Sequence, residues 1–188
     1  PGRREQPAHE SLSSRVTLAE VPLTGLSFGC RTVRGDGKGS HKPAADETWI
    51  YRAIAHSRRL ESLSISRHTR IGGGGLGHLA SVRTLSHLRL EASELDDSNV
   101  SELAEISALR ELELPNKDLS PAGIRQLASL PHLSKLTLRG LTPEKIEALT
   151  TLSQLTDLTV VADPQTAGVD ALTKLPRLQN LKIVADQR

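Results

Sequence analysis

The sequence predicts an α/β repeat protein of stacked helix–strand units, and three observations say so. One apolar template recurs six times along 188 residues. Within each copy the spacing changes from three to two, from the step of a helical face to that of a strand. The chain also holds 31 Leu against three aromatic residues, Phe28, Trp49 and Tyr51, so the core has to come from repeated aliphatic layers rather than aromatic bulk.

Val100, Leu103, Ile106, Leu109, Leu112 and Leu114 stand at offsets 0, 3, 6, 9, 12 and 14. The same offsets fit copies starting at Leu76, Ile124, Ile146 and Val169, and one starting at Tyr51 with a polar lapse at Ser57. Successive starts are 22 to 25 residues apart. Helix boundaries fall where this register wants them. Ser120-Pro121 and Thr142-Pro143 place a capping hydroxyl before Pro at the first helical position. Asp163-Pro164 resembles them, and Asp97-Ser98 is expected to cap the Val100 helix. Pro131 and Pro176 stop a helix before the turn into the strand.

Leu85-x-x-Leu88-x-Leu90 and its equivalents resemble the L-x-x-L-x-L core of leucine-rich repeats over roughly residues 51–188. The resemblance implies a horseshoe solenoid, with parallel strands on the concave face and helices on the convex face. Gly123-Ile124-Arg125-Gln126-Leu127-Ala128-Ser129-Leu130 is similar to the repeats of GALA-type effectors of plant-pathogenic bacteria. Many leucine-rich repeats place Asn three residues after the last strand apolar. Here those positions hold His68, Ser93, Lys117, Leu141, Asp163 and Asp186, so the turn's backbone groups need other partners.

The chain divides into a disordered polar tail (1–15), an N-terminal capping region (16–50) with a basic loop at 29–43, and about six repeats over 51–188. A helix from about Asp46 carries Trp49, Ile50, Tyr51 and Ile54. The chain lacks an initiating Met and ends on a strand, Lys182 to Asp186, that copies Thr159 to Asp163 with no closing helix. On both counts the sequence reads as a piece of a longer protein.

Several motifs invite chemistry and are better explained without it. Gly72, Gly74 and Gly77 satisfy G-x-G-x-x-G, with Asp96 about 20 residues later. A run of four glycines nearly forces that match, and the flanking units continue the repeat instead of a nucleotide-binding sheet. Gly35-Asp36-Gly37-Lys38-Gly39-Ser40 departs from the phosphate-loop pattern at Thr32 and at Gly39. Seven His and a single Cys, Cys30, fit no metal spacing, and Cys30 with His41 lacks an orienting third group. No cofactor, metal, catalytic residue or small-molecule substrate is expected. Nor does any uncharged apolar run approach the length of a membrane span.

Strand alternation points three columns of side chains away from the core. The first is Ser62, His87, Glu111, Lys135, Asp157, Asn180. The second is Ser64, Arg89, Glu113, Thr137, Thr159, Lys182, and the third is Ser66, Glu91, Pro115, Arg139, Val161, Val184. From His87 to Val184 these columns are the expected contact surface for another protein, such as a host protein, since their charges alternate in sign across strands. Alternation also relieves repulsion, which is reason enough for it in a spacer. The second reading, ahead of the spacer, makes the fragment the substrate-recruiting domain of a larger bacterial effector enzyme such as a ubiquitin ligase. Residues 1–70 hold 12 basic and 7 acidic residues, but no stacking aromatic or base-reading helix accompanies them, so nucleic acid is not the expected partner.

Overall fold

The computed structural model describes residues 24–28, 48–65, 74–91, 95–114, 119–163 and 166–185. Seven parallel strands form one sheet in sequence order: β1 Gly25–Phe28, β2 Ser62–Ile65, β3 His87–Leu90, β4 Glu111–Leu114, β5 Lys135–Arg139, β6 Asp157–Ala162 and β7 Asn180–Ala185. Consecutive order with parallel pairing requires every strand to return over the same side of the sheet, and the convex segments do this. They are α1 Thr48–Ile54, a 3-10 helix Leu76–Ser81, α2 Asp97–Leu103, α3 Pro121–Gln126, α4 Pro143–Leu149 and a 3-10 helix Val169–Lys174. Each packs on its neighbours in sequence, so the molecule is a one-dimensional stack, the α/β leucine-rich-repeat solenoid.

Register follows the template. Leu63, Leu88, Leu112, Leu136, Leu158 and Leu181 lie side by side across β2 to β7. Every apolar template residue of the copies starting at Leu76, Val100, Ile124 and Ile146 is buried. In the final copy the layer opens: Leu172 and Leu175 are buried, Leu178 and Leu181 half-buried, and Ile183 is 53% exposed. Leu95, Leu119 and Leu141 are buried as well, an apolar position at the entrance to three convex segments that the template did not contain.

A backbone ladder joins the units. The carbonyl of Thr24 accepts from the N–H groups of Glu61 and Ser62. Glu61 does so for Ser86 and His87, Ser86 for Arg110 and Glu111, and Arg110 for Ser134 and Lys135. Ser134 and Thr156 continue the ladder to β7. One acceptor serving two donors per unit satisfies the turn before each strand.

Not every convex segment is α-helical, and the cause is cap chemistry. Asp96, Ser120 and Thr142 cap α2, α3 and α4 with side-chain oxygens. The Leu76 and Val169 segments follow Gly75 and Gly168, which offer no side-chain cap, and both stay in the tighter 3-10 form. Two sequence expectations are thereby corrected. The cap of α2 is Asp96, which accepts from Ser98 and Asn99, while Asp97 is the first helical residue. Asp163 is not in a helix and Pro164 lies outside the described residues; the next helix among those described begins at Val169, after Gly168 at φ 85°. The polar tail, the 29–43 loop, Cys30, His41, Ser66 and Pro115 lie outside the described residues.

Candidate functional site

The outer face of the sheet is a shallow hollow of about 320 Å³ centred on β3 to β6. Strand pairing places Ser62, His87, Glu111, Lys135, Asp157 and Asn180 in one row, since each is the register partner of the next. The same pairing aligns Ser64, Arg89, Glu113, Thr137, Thr159 and Lys182. Neighbouring members of a row stand about 4.8 Å apart, within reach of long side chains.

Two charge clusters occupy these rows. Arg89 Nη2 donates to Glu91 Oε1 at 2.6 Å, and its Nε lies 3.4 Å from Glu113 Oε2. Lys135 Nζ is 2.7 Å from Glu111 Oε1, which also lies 3.4 Å from His87 Nε2. The Glu111 carboxylate, first by its hydrogen bond and then by its charge, holds the Lys135 ammonium above its ordinary value. Asp157 accepts from the Thr156 hydroxyl at 2.7 Å and from Asn180 Nδ2 at 2.6 Å. These bonds hold its carboxyl below the ordinary value, with the field of Lys135 adding least. The Arg89 and Lys135 side chains remain 52% and 53% exposed, so these pairs sit in water rather than in the core.

Arg139, Thr137, Thr159 and Lys182 complete the row ends, with Arg139 and Lys182 exposed. Val161 differs from its expected place: strand alternation points it outward, yet it is 8% exposed, between its register partners Arg139 and Val184. Val184, on the edge strand, is 36% exposed. Sequence spacing missed the Arg89–Glu91 bond along one strand, although the i, i+2 spacing of opposite charges was its signal.

The glycine turn has a structural occupant. Gly74 N and Gly77 N donate to the Glu102 carboxylate of α2 at 2.7 and 3.0 Å. A carboxylate from the next unit therefore sits where a dinucleotide phosphate would have to bind, and Asp96 is engaged as a helix cap. At the turn after β5, which holds Leu141 instead of Asn, Lys145 Nζ donates to the Gly140 carbonyl at 3.2 Å. On the convex side, Gln154 Nε2 donates to the carbonyls of Leu127 and Leu130 in the preceding unit. Among the described residues no group of three or more His, Cys, Asp or Glu is placed to hold a metal, and no helix is long and apolar enough to cross a membrane.

Fold and face together define a leucine-rich-repeat solenoid with a charged concave sheet. No protein-family model matches the chain, and no curated protein does. Similar solved structures include internalin C2 of Listeria monocytogenes, at 19% identity and TM-score 0.48, over 70% of this chain and 57% of that one. Internalin F of the same organism matches at 19% identity and TM-score 0.47, over 73% of this chain and 46% of that one. The plant peptide hormone receptor RGFR1, solved with RGF2, matches at 12% identity and TM-score 0.37, over 71% and 26%. The chain thus spans little more than half the length of the internalins or less. The fold assignment rests on this chain's own strand order and register.

Proposed function

We propose that the chain is a protein-interaction module that binds a partner protein through its concave face, without chemistry of its own. One observation supports this reading above the others: the charged rows are exposed and contribute little to the fold. Solvated pairs such as Lys135–Glu111 are worth about 0–1 kcal/mol each, so stability alone gives weak reason to build them. Fixed on a rigid sheet in alternating sign, they offer a complementary protein surface orientation and register. The contact residues in this reading are His87, Arg89, Glu91, Glu111, Glu113, Lys135, Thr137, Arg139, Asp157, Thr159, Lys182 and Val184, with Val161 beneath them.

The test is the combined charge reversal Arg89→Glu, Glu113→Arg and Lys135→Glu. Partners captured by the unmodified chain are identified by mass spectrometry, and one is titrated against both proteins. Binding is expected to vanish in the variant while the melting temperature falls by no more than a few degrees. Intact binding overturns the concave-face assignment. The narrower reading, recruitment of host proteins for an effector enzyme such as a ubiquitin ligase, draws only on the GALA-like segment Gly123 to Leu130. Ubiquitin transfer by the full-length parent protein tests it.

A further inference from the structure

We infer that a second surface, the arginine-bearing rim where convex segments turn into strands at the N-terminal end of the stack, binds an acidic protein segment. Arg58 and Arg59 precede β2, Arg83 precedes β3 and Arg110 precedes β4; all four are exposed. The backbone ladder stacks these turns directly, since Ser86 N and His87 N bond to Glu61 O and Arg110 N to Ser86 O. Arg58 and Arg83 line one hollow of about 390 Å³, together with His56, Ser57, Ser81 and Thr84. Arg52, at the end of α1, adds a further guanidinium, which donates from Nε to His78 Nε2 at 3.4 Å, toward another basic group rather than an acid.

The contrast with the concave face carries the argument. There Arg89 and Lys135 each have a carboxylate at 2.6 to 2.7 Å. On the rim, none of Arg52, Arg58, Arg59, Arg83 or Arg110 forms an ion pair among the described residues, although Glu61 lies in the same turns. Unpaired like charges on adjacent repeats repel one another and do nothing for folding; an external anion removes that repulsion. Guanidinium groups match carboxylates in a two-point geometry, and a row of them on a rigid rim suits several acids in sequence. A nucleic acid fits less well. Tyr51 is 0% exposed, so among the described side chains there is no aromatic platform for base stacking.

The experiment is fluorescence anisotropy of a short labelled polyglutamate peptide titrated with the full chain at low salt. Saturable binding is expected, weakening with added salt. Arg58→Gln with Arg83→Gln should weaken it about tenfold, roughly what two lost exposed charge pairs allow. The concave triple reversal changes net charge by the same amount and should leave peptide binding unaltered, which separates this surface from the concave one. Arg58→Lys with Arg83→Lys, which keeps the charge but not the two-point geometry, should bind with an affinity between those of the unmodified chain and the Gln variant. Absent binding, or equal binding by the Gln variant, overturns the proposal. Loss of binding in the concave variant alone assigns the peptide to the other face and also overturns it. A DNA oligonucleotide of matched charge that binds more tightly through Arg58 and Arg83 replaces the acidic protein with a nucleic acid.

Discussion

The Asp97 carboxylate reaches from α2 into the next unit, where Oδ1 accepts the Ser120 backbone N–H at 3.1 Å and Oδ2 accepts from the Ser120 hydroxyl. Ser120 Oγ in turn accepts from Ala122 N and Gly123 N at 3.0 and 3.2 Å. One acid therefore orients the cap of its neighbour's helix, coupling two repeats through a polar chain as well as through the core.

That carboxylate needs Gly123 to be glycine. A Cβ there would fall on Asp97 Oδ1 and 2.9 Å from Leu119 Cδ1. Ala is the better helix former by about 1 kcal/mol, yet the collision should win, and Gly123→Ala is expected to destabilise by about 1–3 kcal/mol. Urea denaturation measures it. Combining it with Asp97→Ala should cost less than the two single changes added, by at least about 0.5 kcal/mol. Strict additivity would show that the two residues do not compete for the same space.

Glu102 binds the N–H groups of Gly74 and Gly77, the second of them part-buried. Glu102→Ala leaves both donors without that acceptor and should cost about 1–3 kcal/mol. Faster amide exchange confined to the Gly74 turn, read by hydrogen–deuterium exchange, is the accompanying signature. Unchanged exchange there would mean that Glu102 does not hold the turn.

Core position decides how much a lost apolar side chain matters. Leu112 is 2% exposed, with template neighbours on both sides, so Leu112→Ala should cost about 2–5 kcal/mol. Ile183 occupies the last offset of its copy but is 53% exposed on the edge strand, and Ile183→Ala should cost less than about 1 kcal/mol. Equal costs at the two sites would contradict the graded opening of the stack.

The α2 cap predicts acid sensitivity of known sign. Asp96 lies below its ordinary value of 3.8, chiefly through the Ser98 hydroxyl and then the Asn99 N–H. A carboxyl held low in the folded state stabilises at pH above the ordinary value, and that contribution is lost as pH falls through the depressed one. Asn also caps helices but carries no charge. The melting-temperature advantage over Asp96→Asn should therefore shrink between about pH 5 and about pH 2. A constant difference would mean that the ionised form is not what caps the helix.

The fold was largely legible in the sequence because its determinants are local and repeated. A three-then-two apolar spacing, written six times, names the buried face of each helix and strand, and stacking follows from the need to cover each layer. The two charged rows were legible for the same reason, since equal offsets in parallel strands become register partners.

Spacing did not disclose the links between units. Glu102 on the glycine turn and Asp97 on Ser120 join side chains to backbone groups 23 to 28 residues away, in the neighbouring repeat. Val161 lies outward by alternation yet is buried, because neighbouring strands decide what covers a side chain. Whether a convex segment became α or 3-10 turned on a capping oxygen reaching one or two specific N–H groups. Sequence alone determined the layers and their order, through hydrophobic burial that is periodic and indifferent to exact geometry. Tertiary structure decided which charges are paired, which arginines are left without a carboxylate and which turns are filled, because those depend on distances of a few ångströms between residues in different repeats.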